Sequence, residues 1–410
     1  PLTHMISVGN QACVSIEDLI HILCENPKVK AIGLHIEGIK NVRKFHDAAL
    51  KALKNKVPIV ALKTGTSKVG EKLTTTHTGS LSGENKLYKA LFERVGIIRV
   101  RNPIQLLETL KLICVSGVPQ GNLLVAFTCS GGGATMIADY AEKTGLHLPS
   151  FSDSGAKNLE NLLPAIATVS NPLDYTTPIW GNEQKTGPVF STAMKESRAT
   201  TALLLQDYPA EGLEDSEMSY INDARAFIKS AKALGIPAII CSTFPENMKK
   251  SIRDNFLSQK IAPMLGVDDT LEAIKLAADY NVKQKRARTT SIRSLAKVPE
   301  HVSLEFLNEF DSKSALKQAG ISVPKSQIVS CKSIEKATIS LQFPIVLKLL
   351  NSKIIHKTDH NAILTDIQSR DELIRATKEM HDRLKIYLKS NFKDQFLIEE
   401  MAPTPIVEMI

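Results

Sequence analysis

Apolar and polar positions alternate along the chain in two periods. Lys30 to Gly38 and Val57 to Gly65 are short continuous apolar runs, which predict buried strands. Between them Val42, Phe45, Ala49 and Leu53 share one helical stripe. A helix over 84–95 and a short strand over 96–100 follow. Strands alternating with helices predict a parallel α/β sheet. Its sheet partners look scarce, because barely one strand's worth of residues precedes the first helix.

The pattern restarts at Gly121. Asn122 to Ser130 reads as a buried strand, then Gly131-Gly132-Gly133, then a helix over 134–144. Further strands are expected over 200–206 and 236–243, with a helix over 219–234 between them. The strand-glycine-helix turn and the strand-helix-strand order are flavodoxin-like. Residues 283–297 are basic, bear Ser and Thr and are weakly periodic, which reads as a linker or as a solvated helix end. A third region opens near His301, with a helix over 309–319 closed by Gly320. Strands follow over 342–350 and 405–410. The expected domains are therefore 1–118, 119–282 and 301–410, with a linker over 283–300.

Composition narrows the class. With 410 residues, 43% hydrophobic and 23% charged, the chain has enough apolar material for two or three packed cores. No apolar run is long enough to span a bilayer, so no membrane partner is expected. Six scattered cysteines without a Cys-x-x-Cys pair read as reduced thiols of a cytoplasmic protein, and no metal-ligand set is expected. The net charge of +8 splits into +8 over 1–120, −6 over 121–280 and +6 over 281–410. Alternating signs suit docking modules or anionic small molecules better than nucleic acid.

Several stretches suggest chemistry. Thr74 to Gly83 sets His77 among small hydroxyl residues, with Gly79 and Gly83 ahead of a helix start. That environment suits a phosphorylated histidine, or simply a surface histidine in a Ser/Thr-rich loop. Glu37 closes a strand, where a carboxylate can hold an imidazole tautomer or merely occupy a solvated turn. Ser130, Gly131 and Gly132 open a helix after a strand, as a phosphate cradle or as plain turn geometry. Lys348 ends an apolar strand eight residues before His356, and the acidic pair Glu399-Glu400 follows Phe396-Leu397-Ile398. The run Gly65 to Lys72 approaches a phosphate loop, but Glu71 stands where that motif needs its lysine.

In their joint order these stretches resemble the NDP-forming acyl-CoA synthetases, the ADP-forming acetate–CoA ligases related to succinyl-CoA synthetase. The matching stretches are Ser7-Val8-Gly9-Asn10, Ile36-Glu37-Gly38-Ile39, His77 to Gly83, Ser130-Gly131-Gly132, Asn171-Pro172-Leu173-Asp174, Val346-Leu347-Lys348 and His356-Lys357-Thr358-Asp359. The resemblance implies two flavodoxin-like parallel-sheet domains followed by the first part of an ATP-grasp domain. It also implies a reversible ligase that joins a carboxylic acid to CoA with ATP, through an acyl phosphate and a phosphohistidine. His77 would accept the phosphoryl group, Glu37 would orient it, and His356 would carry phosphate onward. Gly79, Ser130, Gly131 and Gly132 would bind phosphate. Lys348, Glu399 and Glu400 would bind the nucleotide. ATP or ADP, CoA and Mg²⁺ are the implied cofactors, and a homo-oligomer is left open.

Relatives carry a CoA-binding domain before the Ser7 stretch and further ATP-grasp sequence after Ile410, so a fragment inactive alone is expected. Asn361-Ala362 stand where the family tends to have a glycine pair, which puts the local loop geometry in question. The alternative reading is a non-catalytic regulatory scaffold of the protein-acetyltransferase type.

Overall fold

A computed structural model describes residues 2–67, 69, 70, 85–210, 212, 216–296, 307–351, 357–389 and 392–401. It divides into two compact units, Pro1–Lys297 and Val298–Ile410.

The first unit opens with helix Ile16–Leu23, started by a reciprocal capping box between Ser15 and Asp18. Strands β1 (Ile32–Ile36), β2 (Ile59–Lys63) and β3 (Ile98–Val100) form a parallel three-stranded sheet in the order β1-β2-β3. Helix Val42–Lys54 turns Phe45, Ala49 and Leu53 into the core and leaves Val42 exposed. Helix Asn85–Arg94 packs Phe92 against Phe45, ring centroids 6.2 Å apart.

Helix Pro103–Val115, begun by Asn102 and Pro103, leads to the second sheet. Its strands are β4 (Leu124–Thr128), β5 (Leu173–Asp174), β6 (Thr201–Leu205), β7 (Ala238–Ser242) and β8 (Ala262–Leu265), all parallel. The order is β5-β4-β6-β7-β8. Counted from its own first strand this is 2-1-3-4-5, the flavodoxin-like order. Every residue of β4, β6 and β7 is buried, as expected of strands covered on both faces. The direction of winding reverses between β4 and β6, so the loops after these strands flank the crevice where such sheets bind ligands.

Helix Val267–Thr289 packs Leu271, Ile274 and Ala277 into a core shared with Val60 and Val100 of the first sheet and Leu53 of helix Val42–Lys54. Arg101 adds ion pairs to Asp268 and Asp269 at 3.0 and 3.1 Å. Residues 283–289 correct the linker expectation: they are the last turns of this helix, with Gln284 and Ala287 buried. The segment beyond the helix is held too, by Ser294 donating to Asp47 at 2.7 Å.

The second unit begins with helix Glu309–Gln318, capped by Asn308. Strands β9 (Ser326–Val329), β10 (Ile345–Leu349), β11 (Ile363–Ile367) and β12 (Phe396–Glu400) form an antiparallel sheet in the order β11-β10-β12-β9. Ile345, Leu347, Leu349 and Ile398 share a core with Leu373 and Met380 of helix Arg370–Leu388. Lys348 alternates to the other face. The strand expected over 405–410 lies outside the described residues. Across the described residues no helix is long and apolar enough to cross a membrane, and all six cysteines are free.

Candidate functional site

At the crevice of the five-stranded sheet, Ser130 has extended backbone and accepts the Gly133 N–H at 3.3 Å. The helix therefore starts at Gly131, three residues earlier than its sequence suggests. The N–H groups of Gly131 and Gly132 fall in the first turn, where a helix has no carbonyl to offer them. The three glycines differ in kind. A Cβ at Gly133 would stand 2.7 Å from Thr128 Oγ1, whereas at Gly131 and Gly132 the nearest atoms would be 3.7 Å away. Gly133 is thus a packing requirement, and the other two leave an open approach to a helix N-terminus, which favours anions. The atom nearest a Cβ at Gly131 is Asp174 Oδ2. An anion here meets that carboxylate as well as the helix end.

Asn171 holds the crevice strand in place. Its side chain accepts from Ala126 N at 3.1 Å and donates to Leu124 O at 2.8 Å, substituting for a strand neighbour beside the two-residue β5. Asp174 receives the Thr176 N–H at 2.9 Å. Past β6, Asp207 accepts from Thr243 N, Thr243 Oγ1 and Asn247 Nδ2 at 2.7–2.9 Å and closes the loop after β7. Tyr175 and Asp223, both fully buried, pair behind these loops.

Glu37 follows β1 directly and is exposed. Its loop is pinned on both sides: Ile39 N donates to the Tyr88 hydroxyl at 3.2 Å, and Gln11 donates to Gly38 O at 3.4 Å. Lys63, at the end of β2, lies 4.6 Å from the centre of the Tyr88 ring. The chain before and after 71–84 is therefore anchored beside Glu37. His77 and Gly79 themselves lie outside the described residues, as does His356.

In the second unit Lys348 donates to Glu309 at 2.6 Å and to Glu399 at 2.7 Å. Lys313 binds both oxygens of Glu399, and Lys357 pairs with Glu309 at 2.9 Å. Burial opposes the Glu309 charge, but hydrogen bonds from Lys348, Lys357 and Lys313 outweigh it and bring the carboxyl down to about 2. Glu400 does not join the cluster: it lies 3.6 Å from Lys325 and accepts from Gln342 N. Asn361 takes the left-handed conformation itself, φ +48°, and Ala362 N bonds to Lys357 O at 2.8 Å. Asparagine is among the few residues that reach this region readily, so the turn does not need a glycine there.

Comparison with known proteins follows these divisions. Residues 1–113 match the family model described as a succinyl-CoA ligase like flavodoxin domain, and residues 301–410 match that of an ATP-grasp domain. Over 98% of its length the chain is 27% identical to the ADP-forming acetate–CoA ligase of Methanocaldococcus jannaschii, covering 58% of that protein. In both matched stretches and along its length the chain is similar to the ADP-forming acyl-CoA synthetases.

The alpha subunit of the ADP-forming acetate–CoA ligase II of Pyrococcus furiosus is 37% identical over 178 residues, 43% of this chain and 38% of that subunit. The chain thus spans about half the length, or less, of these curated relatives. The solved acetyl-coenzyme A synthetase 1 of Ca. Korarchaeum cryptofilum shares the fold, with a TM-score of 0.59 and 22% identity over 69% of this chain and 60% of that one. Sequence reading brought Lys348 and Glu399 forward together but missed Glu309, Lys313 and Lys357, which complete their ion cluster. It also missed the Tyr175–Asp223 pair, for which no local sequence signal exists.

Proposed function

We propose that this chain is the core of an ADP-forming acyl-CoA synthetase, joining a carboxylic acid to CoA with ATP and releasing ADP and phosphate. The observation that carries the reading is the open Gly131-Gly132 helix start at the switch point of a flavodoxin-like sheet. In the acyl-CoA-consuming direction, a phosphate oxygen attacks the thioester carbonyl, the C–S bond breaks, and acyl phosphate and free CoA form. A ring nitrogen of His77 then takes the phosphoryl group and releases the carboxylate. Glu37, on its pinned loop, holds the imidazole and stabilises its charged form. ADP finally accepts the phosphoryl group to give ATP, with His356 as carrier between His77 and the Lys348 region. Synthesis of acyl-CoA is the same path reversed.

Ser130, Gly131 and Gly132 with Gly79 supply the phosphate site. Lys348 and Glu399 belong to the nucleotide region, where Lys348 must exchange a carboxylate for a phosphate on binding; Glu400, engaged with Lys325 and Gln342, is left out of it. Among the described residues no His, Cys, Asp or Glu side chains gather as a cation site. Glu309 and Glu399 are both held by lysines. These residues do not build a Mg²⁺ site, and none of the steps above draws on one.

A non-catalytic scaffold is not favoured, because both His77 and His356 are retained. The test is product analysis of the protein at its full natural length with ATP, Mg²⁺, CoA and a series of acids. Acyl-CoA with equimolar ADP supports the reading; AMP, or no nucleotide turnover with any acid, overturns it.

A further inference from the structure

Three buried polar atoms at the crevice of the five-stranded sheet have no hydrogen-bond partner: Trp180 Nε1, Gln206 Nε2 and Thr176 Oγ1. The first two are donors only. They belong to one ring of contacts. The Tyr208 hydroxyl donates to Gln206 Oε1 at 2.8 Å, and the amide nitrogen, beside the Tyr175 hydroxyl, makes no close hydrogen bond of its own. The Tyr208 ring stands 5.6 Å from that of Tyr220, and the Tyr220 ring 4.8 Å from that of Trp180. Thr176 and Trp180 lie at the two ends of one turn, which Asp223 holds through Tyr175 Oη and Gly181 N.

Asp207 and Asn171, the polar side chains next to them in this sheet, are fully engaged. Asp207 accepts three hydrogen bonds and Asn171 makes three, whereas Thr201 Oγ1 on β6 is buried without a partner too; what sets Gln206 and Trp180 apart is that both are donors meeting at one aromatic cluster. Gln206 is only 2% exposed. A buried donor without an acceptor destabilises a fold, and its persistence calls for an ordered water or a ligand that supplies the acceptor. Thr176 adds a backbone at φ +63°, ψ 155°, a region otherwise left to glycine and held only where surroundings impose it.

We infer that Gln206 and Trp180 form the subsite for the carboxylic acid, their N–H groups taking its oxygens while the rings of Trp180, Tyr208 and Tyr220 cover its apolar chain. The inference deepens the ligase reading and rests on it for the substrate class. Gln206 directly follows β6 and Tyr175 directly follows β5, on either side of the strand that ends in the Ser130 turn. An acid held there lies at the same edge of the sheet as the proposed phosphate cradle. Thr176 Oγ1, able to donate as well, offers a third contact.

Trp180 is the only tryptophan in the sequence, so its fluorescence reports the subsite directly. Acetate and butyrate are titrated into the purified chain without nucleotide or CoA, against chloride at equal ionic strength. Saturable emission changes are expected, with butyrate binding about tenfold tighter for its two further methylenes. Gln206→Met should weaken binding by about tenfold or more. Gln206→Glu keeps the oxygen that Tyr208 binds but sets like charge against the acid, and should abolish saturation. If either variant loses its circular dichroism signature, the other decides. Should both lose it, calorimetric titration of Trp180→Phe decides, weaker binding being expected. No saturable change with either acid, or unaltered affinity in a folded variant, overturns the subsite. Acid binding without ADP formation overturns the ligase reading alone. ADP formation with an unaltered preference among acids in Gln206→Met overturns the subsite alone.

Discussion

The Tyr175 hydroxyl donates to Asp223 Oδ2 at 3.0 Å, and Gly181 N donates to the other oxygen at 3.0 Å, so one buried carboxyl ties β5 to helix Glu217–Leu234. Burial pushes this carboxyl up to about 6, although the hydrogen bonds pull the other way. A carboxyl raised in the folded state stabilises the fold fully below its unfolded value of 3.8 and loses that contribution as pH rises through about 6. The first unit should therefore gain up to about 3 kcal/mol from this group between pH 7 and 4. Thermal unfolding followed by Trp180 fluorescence, with and without Asp223→Asn, measures it. The variant should flatten the slope.

Glu309 predicts the opposite sign. Its carboxyl is lowered to about 2, so its contribution is present above the unfolded value of 4.5 and is lost as pH falls through about 2. Amide hydrogen exchange over β10 and β12 should accelerate in that acid window. In Glu309→Gln the exchange should be faster at neutral pH and much less dependent on acid. An unchanged acid response in the variant would assign it to other carboxylates.

Gly133→Ala should destabilise the first unit by about 1–3 kcal/mol, because the new methyl meets Thr128 Oγ1 at 2.7 Å and Leu205 Cδ2 at 3.2 Å. Gly131→Ala has open space and should melt close to wild type. Paired thermal melts check the contrast, and equal losses in both variants would count against it.

Glu37→Gln should leave the fold intact, since the carboxylate is exposed and its loop is pinned through backbone atoms. Turnover should fall by about 10–100-fold, the usual scale for losing a partner that orients a reacting group. Steady-state rates for the full-length variant decide; wild-type turnover would remove Glu37 from the mechanism.

What was legible in the sequence is what depends on local pattern. β4 and β6 announce themselves as unbroken apolar runs, and helix Val42–Lys54 shows its stripe at Phe45, Ala49 and Leu53. The last turns of helix Val267–Thr289 did not, because the residues they bury are Gln284 and Ala287, which carry little apolar signal. The glycine run reads as a turn, yet Ser130 supplies the cap that turns it into the first helical turn. Partners distant in sequence are invisible to pattern: Asp223 stands 48 residues from Tyr175, and Glu309 stands 39 from Lys348. Lys348 was singled out as a nucleotide ligand, but the two carboxylates that hold it come from another strand and from a helix.

The most direct test of the account is the chemical identity of its phosphorylated residue. The full-length protein is incubated with γ-labelled ATP and Mg²⁺, and the label is mapped by peptide after quenching in base. The account predicts an acid-labile, base-stable phosphoryl group on His77, with His356 as the one other residue that carries the label in transit. Acid and CoA together should discharge it, and His77→Ala should lack it and fail to turn over. Retained labelling and full turnover in His77→Ala would contradict the account.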